Sequence, residues 1–288
     1  MGRGVGLRAI LLLGCLWATA CSDPPPIPRY DHVVIVIEEN HSFDSIFMEG
    51  KRDCCPYING LAQSGALMTQ SYAVTHPSLP NYLVLFSGST QGVTDDGCDY
   101  SFSGPHLAAR LREAGLTFAG YSEGIASQGS TACNAGGKSG YFKKHVPWAY
   151  WQEAGAFPAA LSRSFDEFPR GPDYASLPTI SFVIPNAAHD MHEPEGYPPA
   201  ADKWLEENLD RYRRWAESHN SLLIVTWDED DLGRDNHIPT IFTGARVKPG
   251  RYGRKVTHYD LLRTLEEMYG LKPLAESSKA RPIREVFR

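Results

Sequence analysis

The sequence predicts an α/β fold with one domain, in which a doubly wound, mostly parallel sheet carries helices on both faces. Short apolar runs rich in β-branched residues alternate along the chain with longer amphipathic segments, the pattern of strand–helix–strand units. The run Val33–Ile37 is apolar at every position, as expected of a strand buried on both faces. A length of 288 residues suits one large domain, and no linker-like stretch divides the chain.

The composition is that of an ordinary globular protein. Hydrophobic residues make up 42% of the chain and charged residues 22%, and the formal net charge is -6. Residues 1–20 hold two arginines and no acids, so removing them leaves 26 basic against 34 acidic side chains. Nucleic-acid binding needs a basic stripe or patch, so this acidic chain argues against a DNA or RNA partner.

The first residues have the features of an export signal. Arg3 and Arg8 form a basic start, residues 9–17 are apolar, and Ala18-Thr-Ala20 is a cleavage signal, so we assign residues 1–20 to a signal peptide. Cys21 follows directly, as in a bacterial lipoprotein signal, although plain secretion is the simpler alternative. We therefore expect a cell-surface or periplasmic lipoprotein or a secreted protein. A lipid on Cys21 would be its membrane attachment.

Residues 21–30, which are rich in proline, predict a short tether, and residues 31–288 the folded domain. Four cysteines remain in this domain, and export places them in an oxidising compartment. Cys98 and Cys133 would make a reasonable loop disulfide. Cys54 and Cys55 are neighbours that could bond to each other or pair elsewhere, and the sequence does not fix the pairing among the four.

The elements follow in order from periodicity and from proline and glycine positions. A helix from Pro80 to Phe86 begins with proline and stops near Gly88, as proline suits a first turn and glycine a helix end. The long helix from Ala201 to His219 carries its aromatic residues on one stripe, which predicts a buried face. The remaining predicted helices are Tyr57–Gln63, Pro105–Ala114 and Tyr259–Tyr269, and the remaining strands are Ala66–Val74, Leu116–Tyr121, Thr179–Ile184, Leu222–Trp227 and Pro239–Phe242.

Polar residues gather where four of the predicted strands end. The groups are Glu39 and Asn40, then Glu123, then His189 to His192, and finally Asp228 and Glu229. Ligands of open α/β sheets bind beyond the carboxyl ends of the strands, so one edge of the sheet would collect these side chains. Crowded carboxylates repel one another unless a cation joins them. We therefore expect one hard divalent ion there, with Mg, Mn or Ca favoured by oxygen ligands.

Ser78 is a candidate functional residue because it lies just ahead of the helix that Pro80 opens. A serine in that place is often only a helix cap. It would also hold its hydroxyl in the field of free backbone N–H groups, where a phosphate is welcome. A serine esterase is the rival enzyme class, but the sequence has no G-x-S-x-G elbow around Ser78, and an esterase leaves Asp228 and Glu229 without a purpose.

Four motifs in order resemble the bacterial phosphoesterase family of acid phosphatases and phospholipases C, within the alkaline phosphatase superfamily. The motifs are Val36–Asp44, Thr75–Leu83, Pro185–His192 and Trp227–Glu229. The resemblance runs from about Asp31 to Leu271 and is strongest to compact secreted acid phosphatases, among which phosphoinositide phosphatases occur. It implies an alkaline-phosphatase-like fold, and a phosphoesterase catalytic domain over residues 31–288.

The resemblance also implies a role for each matching position. Glu39, Asn40, Asp228 and Glu229 match metal ligands, and Ser78 matches a nucleophile that is also a metal ligand. Three histidines match residues that surround the phosphate: His145, His192 and His237. Asn186 stands where the second metal site of alkaline phosphatases has an aspartate, which favours a single metal ion.

The function implied is a metal-dependent phosphomonoesterase, an acid phosphatase that works through a phosphoserine and has phosphoinositides among its candidate substrates. A monoester carries more negative charge than a diester, and Lys143, Lys144 and His145 could supply positive charge, unless the two lysines simply face solvent. A phosphodiesterase of phospholipase C type is the alternative within the family. A catalytically inactive, surface-binding lipoprotein is the alternative of another class.

Overall fold

The computed structural model describes residues 1–2, 26–152, 155–192, 197–233 and 235–288. Residues 3–20 of the predicted signal peptide, Cys21 and residues 22–25 of the tether lie outside these ranges, so the boundaries of these segments remain predictions. Within the described residues, no helix has both the length and the apolar character needed to cross a bilayer.

Strands and helices alternate along the chain, as predicted. In order they are β1 (His32–Glu38), α1 (Phe43–Phe47), α2 (Pro56–Ser64), β2 (Ala66–Tyr72), α3 (Ser78–Ser87), α4 (Leu107–Glu113), β3 (Phe118–Ser122), β4 (Asn134–Ala135), β5 (Tyr141–Phe142), α5 (Trp148–Gln152), β6 (Ser162–Ser164), β7 (Ile180–Ile184), α6 (Pro198–Ser218), β8 (Ser221–Trp227), β9 (His237–Gly244), β10 (Gly250–Tyr252), β11 (Val256–Thr257) and α7 (His258–Met268). Short 3-10 turns connect several of them.

One mixed sheet organises the described residues. Its strand order is β10-β2-β9-β8-β1-β7-β3-β6, and β11 pairs with β2. All of these pairs are parallel except those of β9, which runs antiparallel to both β2 and β8. The strands β8, β1, β7 and β3 therefore end at one edge, as the sequence predicted. Glu38 is paired with Trp227, which places Glu39 beside Asp228.

The sheet has a hydrophobic core on each face. Val33, Ile35 and Ile37 of β1 point into a core shared with α3, α4 and α7. Val34 and Val36, on the opposite face of β1, point into a second core shared with α1, α2 and α6. This two-sided burial explains the uninterrupted apolar run of β1, and it confirms the predicted α/β fold with a mostly parallel sheet and helices on both faces.

Local signals define the helix ends around the site. Gly88 ends α3 with φ 71°, and a Cβ at this position would lie 2.2 Å from the carbonyl oxygen of Leu274, so the position requires glycine. Thr257 and Asp260 form a capping box at the start of α7. The structure begins α3 at Ser78, two residues before the predicted Pro80, because the helical turn already includes the serine.

The disulfide expected between Cys98 and Cys133 is present. Cys54 and Cys55 are not joined in a disulfide, and their sulfur atoms lie 2.8 Å apart. The long rim segment between Ile125 and Gly140 is fastened at Cys133 and continues into the hairpin of β4 and β5. The segment that carries His145 follows this hairpin and is thereby positioned beside α3.

Candidate active site

Ser78 lies at the start of α3 and faces two carboxylates. Its side chain is buried, and its Oγ lies 3.1 Å from Glu39 Oε2 and 3.2 Å from Glu229 Oε1. The hydroxyl has one proton, so it can donate to only one of these oxygens at a time. Pro77 is the N-cap residue of α3, so Ser78 is the first residue of the helix and does not occupy the capping position that a serine in this place often has.

The turn before Ser78 is held by two other side chains. Asn81 Oδ1 accepts hydrogen bonds from the backbone N–H groups of Val74 and Thr75, at 3.0 and 3.1 Å. Asp96 Oδ1 accepts from the Leu79 N–H at 3.0 Å. Since Pro80 has no N–H, the first turn of α3 has fewer free donors for an anion than the sequence suggested. Positive charge for a phosphate must therefore come mainly from side chains.

Three carboxylates meet at the ends of β1 and β8. Glu39 and Asp228 are fully buried, and Glu229 is 5% exposed. Burial, followed by the nearby charge of Glu39, raises the pKa of Asp228 well above its usual value and that of Glu229 to about 8. Asp228 Oδ1 accepts from the N–H groups of Asn40 and Glu229, whereas Oδ2 has no hydrogen-bond partner in the described structure. This cluster is costly for the fold unless positive charge compensates it.

The side-chain amide of Asn40 completes a ring of polar atoms around Ser78. One end of this amide lies 3.2 Å from Glu229 Oε1 and 3.2 Å from Glu39 Oε2. If the NH2 group of Asn40 occupies this end, it donates a hydrogen bond to both carboxylates. If the amide oxygen occupies it, the oxygens of Asn40, Glu39, Ser78 and Glu229 all face one another. Ligand oxygens around an octahedral Mg²⁺ are spaced by roughly 3 Å. The oxygens of Glu39, Asn40, Ser78 and Glu229 thus lie close enough together to suit a hard divalent ion, and Asp228, the fifth predicted ligand, has a buried Oδ2 that no described hydrogen bond uses.

A second group of side chains lies on the other oxygen of Glu39. Tyr82 donates to Glu39 Oε1 at 2.5 Å, and His145 Nε2 lies 3.2 Å from the same oxygen. His145 Nδ1 is 3.4 Å from Asp190 Oδ2. Burial lowers the pKa of His145 to about 4 and raises that of Asp190 to about 7, so we treat this contact as one between largely neutral groups and not as a strong ion pair.

His192 lies beside His145 and is half-buried, with the two ring centroids 5.9 Å apart. One oxygen of Glu39 and one ring nitrogen of each histidine lie within 4.8 Å of one another, close enough to hold a metal ion in principle. This set shares Glu39 with the all-oxygen set around Ser78. Two of the three histidines predicted to surround a phosphate therefore lie beside Glu39, whose other oxygen is next to Ser78 Oγ.

The third predicted histidine, His237, lies at the first residue of β9. Its ring is stacked between Phe43 and Tyr72, at centroid distances of 4.7 and 4.9 Å, and its Nε2 is 3.1 Å from the carbonyl oxygen of Thr69. None of these contacts involves Ser78 or the carboxylates. Its predicted role at the phosphate remains a prediction.

The two lysines before His145 differ in their surroundings. Lys143 is buried, donates to the Cys98 carbonyl at 2.8 Å and lies over the ring of Tyr150. Lys144 Nζ lies 2.9 Å from Asp96 Oδ2. Burial acts to lower the pKa of Lys144, but the carboxylates of Glu39 and Asp96 outweigh it, and the pKa is raised. Lys144 is thus the lysine whose charge acts on the site, and Lys143 supports the segment.

His76 is a site residue that the sequence reasoning left aside. Its Nδ1 lies 2.8 Å from Glu229 Oε2 and its Nε2 lies 3.3 Å from Asp230 Oδ1, so both ring nitrogens face carboxylates. Its place in the motif Thr75–Leu83 was the available signal. Tyr82 belongs to the same motif, whereas nothing in the sequence pointed to Asp96, which reaches Leu79 and Lys144 from a separate loop.

Glu38 and Glu123 also end strands, but they lie outside this cluster. Glu38 shares the face of β1 with Val34 and Val36, is fully buried, and has no hydrogen-bond partner for either oxygen in the described structure. Burial raises its pKa well above the usual value. Glu123 is paired with His189 at 3.0 Å. Not every carboxylate at the end of a strand therefore joins the cluster around Ser78. Side chains alternate between the two faces of β1, and this alternation separates Glu38 from Glu39.

A cavity of about 350 Å³ opens beside Ser78, and we call it the Glu229 cavity. Its wall includes Asn40, His76, Glu229, Asp230, Asp231 and Leu232. A larger cavity, of about 540 Å³, is lined by the segment from Arg254 to Asp260 and residues near Lys279, and it includes none of the predicted site residues. The Glu229 cavity thus shares two predicted metal ligands, Asn40 and Glu229, with the group of atoms around Ser78 Oγ.

Known proteins resemble this chain in sequence and in fold. The profile of the Phosphoesterase family matches residues 48–272. The phosphatidylinositol-3-phosphatase of Mycobacterium tuberculosis is 46% identical over 262 residues, which cover 91% of this chain and 84% of that protein. An acid phosphatase of Aspergillus fumigatus is 24% identical over 250 residues, covering 78% of this chain but only 53% of the fungal protein.

Among solved structures, a protein in the alkaline phosphatase superfamily from Vibrio parahaemolyticus has a TM-score of 0.60 at 14% identity, covering 90% of this chain and 72% of that chain. At this identity the likeness shows the fold, which is the alkaline-phosphatase-like fold predicted. The family match and the 46% identical relative confirm the predicted enzyme class, a hydrolase acting on phosphoric ester bonds. The chain belongs to the Phosphoesterase family.

Proposed function

We propose that this phosphatase is a metal-dependent phosphomonoesterase that works through a phosphoserine at Ser78. The observation that carries the proposal is the position of Ser78 Oγ, 3.1 and 3.2 Å from two carboxylate oxygens at the start of a helix. A serine hydroxyl is a weak nucleophile unless its surroundings activate it. An esterase triad would need a histidine on Oγ, and both described partners of this Oγ are carboxylates.

One divalent ion would be held by Glu39, Asn40, Ser78, Asp228 and Glu229. When bound, it supplies a lowered pKa for the serine hydroxyl and positive charge for the phosphoryl oxygens. The all-oxygen composition of this set favours Mg, Mn or Ca. We prefer it to the set of Glu39, His145 and His192 because it surrounds Ser78 Oγ, whereas Glu39 Oε1, the oxygen nearest His145, already accepts a hydrogen bond from Tyr82.

Other side chains of the site would transfer protons and stabilise the charge on the phosphoryl group. Ser78 Oγ attacks phosphorus, its proton passes to solvent water, and the bond from phosphorus to the alcohol oxygen breaks. His192, which is half-buried beside the site, gives a proton to the departing oxygen. Water then hydrolyses the phosphoserine and releases inorganic phosphate. Lys144 supplies positive charge that stabilises the phosphoryl oxygens during both steps, and His145, as a neutral ring, contributes as a hydrogen-bond donor.

The substrates proposed are phosphorylated alcohols, with phosphoinositides among them. The 46% identical relative is named for its action on a phosphatidylinositol 3-phosphate, which supports this class for the present chain. A monoester carries one more negative charge than a diester, and Lys144 places a cation beside the carboxylates of the site. A preference for monoesters follows, and phospholipase C activity would be low.

Ser78→Ala tests the mechanism directly. We expect phosphate release to fall by at least about a thousandfold, because the nucleophile is lost, while the variant remains folded. Rapid acid quenching of the wild-type reaction, followed by mass spectrometry, should find a phosphoryl group on the peptide that contains Ser78. Near-normal turnover in a folded Ser78→Ala variant would exclude the phosphoserine route.

The same preparations separate the alternatives. The kcat/KM of the wild type for an aryl phosphate should exceed that for its phosphocholine diester. The opposite preference would indicate a phosphodiesterase of phospholipase C type. No hydrolysis of either ester, with and without added divalent metal, would favour the inactive surface-binding lipoprotein.

A further inference from the structure

The Glu229 cavity adjoins the group of atoms around Ser78. Asn40 and Glu229 belong both to its wall and to the group of atoms around Ser78 Oγ. On the other side of the serine, the Glu39 carboxylate is covered by the buried side chains of Tyr82 and His145. A volume of about 350 Å³ lies near the lower end of small-molecule sites and suits one sugar-sized alcohol.

Carboxylates dominate the charge of this wall. Asp230 is buried, and its two oxygens accept from the N–H groups of Leu232 and Asn236 at 2.8 and 3.0 Å, which fixes the side chain in the wall. Asp231 is exposed and accepts a hydrogen bond from Ser42 Oγ at 3.3 Å. Glu229 adds a third carboxylate.

The basic groups of the wall are poorly placed to offset these charges. Both ring nitrogens of His76 face Glu229 and Asp230, which leaves neither nitrogen directed at a ligand. His41 Nδ1 lies 3.3 Å from the carbonyl oxygen of Glu39. No lysine or arginine occurs among the described residues of the wall. Lys144, the cation of the site, approaches Asp96 and is not part of this wall.

We propose that the Glu229 cavity binds the alcohol part of the substrate, and that Asp231 makes it select alcohols with no second phosphomonoester group. This inference rests on the proposed phosphomonoesterase function and narrows its substrate class. A further phosphate would bring a charge of about -1.5 to -2 against the carboxylates of the wall. Like charges a few ångströms apart near a protein surface repel strongly enough to lower kcat/KM by roughly tenfold. Neutral hydroxyl groups would instead find acceptors in Asp230 and Asp231.

The experiment compares a cyclitol monophosphate with the cyclitol bisphosphate that has its second phosphate on the neighbouring carbon. We expect the wild type to favour the monophosphate by about tenfold in kcat/KM. Asp231→Asn should raise the ratio of kcat/KM for the bisphosphate to kcat/KM for the monophosphate about threefold or more, chiefly through the KM for the bisphosphate. Added salt should narrow the wild-type preference, because an exposed charge is screened, whereas steric exclusion would not respond.

Asp235→Asn is the matched control. It removes the same charge from the same loop at another exposed residue, one that does not line the cavity, so the preference should stay as in the wild type. Equal kcat/KM for the two cyclitol phosphates, or equal effects of Asp231→Asn and Asp235→Asn, would overturn the inference. Aryl phosphate hydrolysis in the same samples keeps the two hypotheses apart: if it persists without discrimination, the cavity assignment alone fails, and if it is absent, the proposed function fails and takes the inference with it.

Discussion

Lys143 and Lys144 show how neighbouring residues of one type can have unrelated roles. Lys143 turns inward and supports the chain through the Cys98 carbonyl and the Tyr150 ring. Lys144 turns toward Asp96 and lies in the field of Glu39. The sequence suggested either that both lysines served the site or that both faced solvent. The sequence alone cannot distinguish the roles of two adjacent lysines, because these roles depend on how each side chain packs in the fold.

His106 is a buried histidine remote from the chemistry, and it makes the stability of the protein depend on pH. It caps α4 by accepting from the Ala109 N–H at its Nδ1, and its Nε2 lies 3.2 Å from the Ala156 carbonyl. The ring is stacked on Phe86. This pattern requires the neutral ring, with the proton on Nε2. Burial lowers the pKa of His106 from 6.5 to about 4.

The direction of the pH effect follows from proton uptake. Between pH 4 and 6.5 the unfolded chain protonates His106 and the folded chain does not, so the stabilisation is complete above about pH 6.5 and is lost as the pH falls toward 4. The effect is on the order of 3 kcal/mol at most. His106→Asn keeps a capping side chain and removes the titration, so its free energy of unfolding should fall less over this range.

Urea unfolding of the wild type and of His106→Asn at a series of pH values measures this difference. His106→Ala should show the same flattened profile, lowered at every pH by about 1 kcal/mol because the cap is also lost. Parallel pH profiles of the wild type and both variants would contradict the assignment of this titration to His106.

At the scale of elements, the parallel sheet explains why the sequence could predict most of the site. Polar residues that follow β1, β7 and β8 meet at one edge because these strands are adjacent and parallel. The apolar runs and the polar residues after them are local features, so Glu39, Asn40 and the Asp228–Glu229 pair were within reach of sequence reasoning.

Features that depend on distant contacts were not predictable. The strands β6, β10 and β11 have two or three residues each, and they exist because a longer strand offers them hydrogen bonds. The five-residue helices α1 and α5 are too short to show a period. Asp96 reaches Leu79 and Lys144 through a loop whose path is set by the fold. Hydrophobic periodicity carries no signal for such contacts.

The disulfide between Cys98 and Cys133 supports the segment that carries Lys144 and His145. It closes a loop with a sequence separation of 35 that contains α4 and β3, and the Cys98 carbonyl receives the hydrogen bond from Lys143. Replacing both cysteines by serine should lower the free energy of unfolding by about 3–4 kcal/mol, because the unfolded chain gains freedom. Activity should fall as well, since the segment carrying Lys144 and His145 loses its support.

Chemical denaturation with and without a reductant tests this prediction. The reductant should lower the stability of the wild type to that of the double serine variant and leave the variant unchanged. An equal loss of stability in both proteins would show that the reductant acts elsewhere, and an unchanged wild type would show that the bridge contributes nothing.

For the whole molecule, the sequence also predicts export, and the cleavage signal and Cys21 on which this prediction rests lie outside the described residues. The described domain begins at residue 26, so cleavage after Ala20 and a lipid on Cys21 remain predictions. Mass spectrometry of the mature protein from its native host decides between the two routes. A lipid-modified Cys21 would indicate a surface lipoprotein, and an unmodified N-terminus would indicate plain secretion.

The stability of the whole molecule should depend on the divalent ion. Glu39, Asp228 and Glu229 are buried together, and burial raises the pKa of the latter two, so the metal-free fold carries an electrostatic cost. An ion that binds only the folded state stabilises it by about 2.7 kcal/mol at a concentration of 100 times its Kd. For a domain of this size, that corresponds to a rise of roughly 5–10 °C in Tm.

The effect of Asp228→Asn on the Tm should change sign between metal-free and metal-bound protein. In chelated samples the variant should melt at or above the wild-type Tm, because one repelling buried carboxylate is gone. With added Mg, Mn or Ca the wild type should melt higher than the variant, because the variant has lost a charged ligand. Asp235→Asn, which changes an exposed residue outside the cluster, should keep the full shift. Thermal melts of the three proteins across this ion series provide the measurement, and a wild-type Tm that no ion changes would refute the predicted metal site.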